Sequence, residues 1–198
     1  MGGHPATASP LVHRYTIDEF FALDPPPGGG HYELIAGVLY VVPPPKVPHS
    51  VVVSRLIRVV ARYADTYPER CTLFVPRAAV WRRRAVTYLE PDFFLVDTAR
   101  FEREGEATFD TAELVVEVLS PSTAVYDRTA KADTYAALGV AELWLVDPDH
   151  ETIEPRVREG STWCVAGEYA GAEPFTAAVF PDLTVVPAVV FAPGQGRA

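Results

Sequence analysis

The run Leu114-Val115-Val116-Glu117-Val118-Leu119 constrains the fold of this 198-residue chain more than any other stretch. Six residues with one polar member, closed by Ser120-Pro121, read as a strand buried on both faces of a sheet. From Asp127 to about Leu138 the period becomes helical. Ala130, Thr134 or Tyr135, and Leu138 fall on one side, with Gly139 as the C-cap. Leu143-Trp144-Leu145-Val146 is a second buried strand, ended by Asp147-Pro148. Strand, helix, strand over so short a span predicts parallel neighbours joined by a right-handed crossover. The class is therefore α/β (α+β), built on a mixed sheet.

The rest of the chain is arranged around that unit. Thr16-Ile17-Asp18-Glu19 has the capping-box pattern and predicts a short helix through Phe20, Phe21 and Leu23. Residues His31 to Val42 read as two strands hinged at Gly37, broken by Pro43-Pro44-Pro45. Val52, Val53, Leu56, Val59, Val60 and Tyr63 recur at three- and four-residue spacing, so an amphipathic helix runs from His49 to about Tyr67. Cys71–Val75, Ala78–Trp81 and Tyr88–Val96 are expected to be extended, and Thr98 to Asp110 to be a charged loop. Ile153–Arg158, Thr162–Val165 and a weaker pair near Phe175 and Val185 predict β-hairpins added toward the C-terminus. Composition (48% hydrophobic, 22% charged) suits one domain over residues 14–192, with a disordered segment at 1–13 and a flexible tail at 193–198.

Three residues stand out chemically. Glu117 lies inside an apolar strand, where an unpaired charge costs several kcal/mol. It needs either an Arg partner or a strand end open to water, or else a cation that offsets its desolvation. Asp92, in Glu90-Pro91-Asp92, stands at the mouth of another apolar strand and is an ordinary turn residue when taken alone. With Glu117 on a neighbouring strand, the two carboxylates converge on one hard cation. Lys131 is one of only two lysines against fifteen arginines. Either the position needs a compact ammonium rather than a planar guanidinium, or it makes an i,i+4 pair with Asp127 worth about 0.3–0.5 kcal/mol.

Net charge bears on the partner. Seventeen basic and 26 acidic residues give −9, which argues against wrapping nucleic acid by bulk electrostatics. The charge is unevenly spread. From Lys46 to Arg84, nine basic residues face two acidic ones (+7), while the remaining eight basic and 24 acidic residues give −16. The basic window is either a polyanion contact or a solvated helix face with a hairpin rim. Cys71 and Cys164 lack CxxC spacing, so neither a disulfide framework nor a zinc knuckle is suggested. No run approaches the ~18 apolar residues needed to cross a bilayer, and no secretory leader pattern is present. A cytoplasmic protein without membrane association is expected. His49 reads more simply as a helix cap or surface residue than as a phosphate contact. Trp81, Trp144 and Trp163 read as packing, and Ser120 to Ser122 as turn chemistry.

Several stretches together resemble the Uma-type putative restriction endonucleases. They are Tyr32-Glu33-Leu34-Ile35-Ala36-Gly37, Pro43-Pro44-Pro45 followed by His49, Pro91-Asp92, and Leu114 through Thr123. Asp127, Lys131 and Tyr135 add to them, as does Gly139-Val140 through Glu142-Leu143-Trp144-Leu145-Val146-Asp147-Pro148. The resemblance implies a PD-(D/E)XK restriction-endonuclease-like core flanked by helices, with Asp92 and Glu117 as the Mg²⁺ (or Mn²⁺) ligands. It implies that the lysine usually found two residues after the second acid, where this chain has Leu119, has moved to Lys131. Glu33 matches a further acidic position of the site. Ala36 and Val38 replace acidic residues common in the family. Asp127, Tyr135 and His49 are expected to stand behind the reacting groups, and Lys46, Arg55, Arg58, Arg82, Arg83 and Arg84 are candidate contacts to a DNA backbone. The expected activity is metal-dependent hydrolysis of DNA phosphodiester bonds, with weak, metal-dependent DNA binding and a homodimer as a candidate assembly. The alternatives are a non-catalytic interaction protein on the same scaffold, and a nuclease for RNA or branched nucleic acid.

Overall fold

The protein is described by a computed structural model over residues 13–104 and 109–192. The N-terminal stretch expected to be disordered, save its last residue, and the expected C-terminal tail lie outside the described residues. A larger sheet holds β3 (Cys71–Phe74), β6 (Phe93–Asp97), β7 (Leu114–Val118), β8 (Glu142–Asp147), β9 (Thr152–Glu159) and β10 (Thr162–Val165), with β11 (Tyr169–Ala170) also paired to β9. Its order is β10-β9-β8-β7-β6-β3. Only β7 and β8 run parallel, and the other pairings are antiparallel. The helical crossover between those two parallel strands is the unit that the apolar runs predict.

A smaller sheet combines the hairpin β1 (His31–Ile35) and β2 (Val38–Val42) with β5 (Thr87–Leu89) and β4 (Val80–Arg82), in the order β2-β1-β5-β4. The hairpin turns on Ala36 and Gly37, whose φ angles of 47° and 81° give the double left-handed geometry of a tight two-residue loop. The extended segment expected over Tyr88–Val96 is two strands in two different sheets. The chain crosses between them at Glu90-Pro91-Asp92, where Pro91 has no N–H to give a ladder. The segment after Thr98, expected to be a loop, contains the helix α3 (Thr98–Glu104), closed back onto the core by Phe101 against Phe74.

Alternation along β7 decides what packs where. Leu114, Val116 and Val118 face the long helix α2 (Val47–Thr66), which presents Val52, Leu56 and Val60 to them, with α6 (Pro187–Phe191) and the hairpin of β12 (Phe175–Thr176) and β13 (Thr184–Val185) completing that layer. Val115 and Leu119 face the crossover helix on the other side. That helix begins as α4 (Ala124–Tyr126), passes through a π-helical turn (Asp127–Lys131) and continues as α5 (Ala132–Leu138). Gly139 ends it in the left-handed conformation, with φ of 93°. Among the described residues no helix is long and apolar enough to cross a membrane.

Candidate active site

Glu117 shares its face of β7 with Val115 and Leu119, so its side chain points at the crossover helix. The register pairs Phe93 with Val116, which sets Asp92 opposite Glu117, where the two strands end. The Val118 N–H donates to Asp92 Oδ2 at 2.7 Å, so the Asp92 side chain takes over where the backbone ladder stops.

The π-turn aims the helix at these acids. The Ala132 N–H reaches back five residues to the Asp127 carbonyl. A regular α-helix drifts by about 40° for every four residues, whereas the wider turn rotates each residue less. Asp127, Lys131 and Tyr135 therefore all remain buried against the sheet. Lys131 Nζ lies 2.7 Å from Glu117 Oε1, 3.2 Å from Glu33 Oε1 and 3.8 Å from Asp127 Oδ1. Its i,i+4 contact with Asp127 is thus the longest of the three. The Tyr135 hydroxyl donates to Glu117 Oε1 at 2.6 Å, so Tyr135 stands behind the acid.

Glu33 is fully buried and is held by the Glu90 N–H at 2.8 Å and the Tyr126 hydroxyl at 2.9 Å. Tyr126 is a site residue that the sequence reading missed. Its ring stacks on Tyr40 with centroids 4.6 Å apart, which ties the start of the crossover helix to the hairpin. Its only signal in the sequence is adjacency to Asp127. His49, simplest to read as a cap or surface residue, is instead turned inward. Its side chain is 14% exposed, and Nε2 lies 3.3 Å from Asp92 Oδ2. Lys46, which caps α2, has no side-chain capping bond, and Pro48 lies in the first turn.

The electrostatics follow from four carboxyl groups around one buried ammonium. Burial, then Asp127, Asp92 and Glu33, push Glu117 well above the ordinary carboxylate range, with Lys131 pulling the other way. Burial also raises Asp127, again against the pull of Lys131. For Glu33 burial is outweighed by Lys131, His31 and the Glu90 N–H, so its carboxyl is held below the ordinary range. Burial alone would discharge Lys131, but Glu117 and Glu33 outweigh it and keep the ammonium charged. His49 is raised despite its burial, chiefly by its hydrogen bond to Asp92. The cluster is short of positive charge.

Of these groups His49, Asp92, Glu117, Asp127 and Lys131 line one end of an open cleft of about 730 Å³, walled by the Pro43–Pro45 loop, the first turns of α2, and Pro76-Arg77. In Glu117 and Asp92 one carboxylate oxygen is taken by the protein partners named above, and the other has none among the described residues. No set of three His, Cys, Asp or Glu side chains among the described residues is gathered to hold a metal ion on its own. Two hard oxygens facing a cleft with surplus negative charge still fit an ion such as Mg²⁺, which keeps most of its water.

The basic window is largely diverted from this cleft. Of the six candidate backbone contacts only Lys46 lines it, joined by Arg77. Arg55 donates to the Val190 and Ala192 carbonyls, fastening α6 to α2. Arg82 binds Asp110 at 3.3 Å and the Leu138 carbonyl at 2.8 Å, and Arg83 pairs with Asp18 at 2.6 Å. Arg58 and Arg84 are exposed away from it. Arginine's five donors make it useful for stitching carbonyls and carboxylates together, and that use leaves no mark on a charge count.

No curated protein matches the chain. Among solved structures, the fold is similar to that of a putative nuclease belonging to DUF820 from Anabaena variabilis ATCC 29413. The TM-score is 0.73 with 20% sequence identity, over 89% of this chain and 97% of that one. The mixed sheet flanked by helices is thus a nuclease-like fold. The family model Uma2, described as "Putative restriction endonuclease", matches residues 17–190. The chain belongs to the Uma2 putative restriction endonuclease family.

Proposed function

We propose that the protein is a Mg²⁺- or Mn²⁺-dependent endonuclease that hydrolyses DNA phosphodiester bonds by attack of water. The observation that carries this reading is the cross-strand pair of Asp92 and Glu117, set before a buried charged lysine at the end of an open cleft. Asp92 and Glu117 would hold the cation, with the Val118 carbonyl beside them. When bound, the ion lowers the pKa of a coordinated water and polarises the scissile phosphate.

The chain's own residues supply the rest. Lys131 is a fixed positive charge that orients the attacking water and stabilises the negative charge developing on phosphorus. Tyr135 holds Glu117 Oε1 so that the second oxygen remains available, and His49 does the same for Asp92. Glu33 and Asp127 keep the ammonium in place by bracketing it. Lys46 and Arg77 meet the substrate backbone, which positions it without reading sequence.

Incubation of the wild-type protein and Glu117→Ala with plasmid DNA and Mg²⁺ or Mn²⁺ tests the reading. The wild type should nick or linearise the plasmid, and the variant should be at least about a hundredfold slower. Equal cleavage by both, or none by the wild type over varied DNA substrates, contradicts it. The absence of a three-residue ligand set among the described residues, together with Leu119 at the usual lysine position, favours a second reading. That reading is a non-catalytic interaction protein on the same scaffold, and it predicts no specific Mn²⁺ binding.

A further inference from the structure

A second, smaller pocket of about 320 Å³ opens beside the cleft. Phe20, Phe21, Tyr32 and Tyr88 supply aromatic rings to its wall. Gly30, His31, Arg77 and Glu90 line both cavities, so the two adjoin. Phe21 is 52% exposed although edge-to-face contacts with Trp81 (5.5 Å) and Tyr88 (5.6 Å) brace its ring. The loop closing the pocket is also fixed. Gly30 has φ of 86°, and a Cβ there would fall 2.1 Å from the Val42 carbonyl oxygen, so only glycine lets the loop lie against the hairpin.

We propose that this pocket takes an unpaired base of the substrate strand next to the scissile phosphate, making single-stranded DNA the preferred substrate class. The inference rests on the reading of the cleft as a phosphodiesterase site. The pocket's volume is at the small end of ligand sites, about 300–1,000 Å³, which admits a flat ring system and excludes a duplex. A base inside a duplex is stacked and cannot enter, whereas an unstacked base finds aromatic platforms of the kind that bind single strands. Arg77 stands where the two cavities meet. Its side chain is 67% exposed, and its one ion pair among the described residues is a 3.6 Å contact from Nε to Glu90, so its terminal nitrogens are available to a phosphate between base and cleft. Of the arginines of the basic window, Arg55 and Arg82 are bound to main-chain carbonyls, and Arg58, Arg83 and Arg84 do not line the cleft.

The test is fluorescence anisotropy in Mg²⁺ with a fluorescein-labelled twelve-nucleotide single strand and the matching duplex. Cleavage of the same samples is followed on gels. The single strand should bind about tenfold more tightly than the duplex or better. Phe21→Ala should weaken single-strand binding roughly five- to a hundredfold with the duplex unchanged, and Phe21→Trp should restore it. Duplex binding as tight as single-strand binding, or indifference of the single strand to Phe21→Ala, overturns the proposal. The two readings fail separately. Phe21-dependent binding without cleavage leaves the pocket standing and removes the nuclease, whereas cleavage indifferent to Phe21 does the reverse.

Discussion

Glu117 and Glu142 sit on adjacent parallel strands, β7 and β8, within apolar runs and almost wholly buried at 4% and 1% exposure. The same residue under the same burial has opposite company. Glu142 accepts from the Trp144 indole N–H at 2.7 Å and the Val179 N–H at 2.9 Å, with no cation at ion-pair distance among the described residues. Neutral donors satisfy it, as they must satisfy any buried polar group. Glu117 instead faces a lysine and three further carboxyl groups at the end of a cleft. Burial of a carboxylate therefore does not by itself mark a reacting group. What sets the proposed metal ligand apart is a surplus of carboxyl groups over its one lysine.

The largest expected effect comes from removing the cation that Glu117 depends on. Lys131→Met leaves Glu117 and Glu33 without their buried partner and should cost about 3–5 kcal/mol of stability in urea unfolding. A loss below about 1 kcal/mol would mean that Glu117, like Glu142, lives on neutral donors. Next is His49→Ala, which removes one of the two groups that hold Asp92 Oδ2 while leaving the Val118 N–H bond and the sheet intact. It should reduce metal affinity and cleavage about 10–100-fold, with little change in unfolding. Unchanged cleavage would return His49 to the surface role that its position after the prolines suggests.

The smallest effect sharpens the comparison from the other strand. Burial raises Glu142, against the pull of the Trp144, Val179 and Ala178 N–H groups. An acid raised on folding binds its proton more tightly in the native state, so its stabilising contribution is complete below the unfolded value of 4.5 and is lost as pH climbs through the raised one. Glu142→Gln cannot titrate. Its penalty, about 1–3 kcal/mol for one orphaned donor, should thus be larger at pH 4 than at pH 8, with cleavage at neutral pH unaffected. A penalty that grows with pH would contradict this account of Glu142.

Much of the site was legible because its parts obey local rules. Period two followed by period 3.6 announces the β7–helix–β8 unit, and an acid inside an apolar strand is conspicuous. Glu142 escaped notice because it stands at the first position of its strand, where a polar residue passes for a boundary. The division of Tyr88–Val96 between two sheets was hidden because each half has strand composition, and only tertiary pairing separates them at Pro91. The inward turn of His49 and the clasp of Tyr126 on Glu33 depend on residues 43 and 93 positions away, respectively. The partners of the basic window are hidden for a related reason. A charge count sees Arg82 and Arg83 but not the Asp110 and Asp18 that occupy them.

The central claim is that the Glu117 cluster, and not the buried carboxylate of Glu142, is built to receive a cation. Isothermal titration of Mn²⁺ into the wild type, Asp92→Ala, Glu117→Gln and Glu142→Gln tests it directly. The account predicts one site of equal affinity in the wild type and Glu142→Gln, and its loss in Asp92→Ala and Glu117→Gln. A wild type that takes up no Mn²⁺, or a Glu117→Gln protein that binds it as the wild type does, would contradict the account.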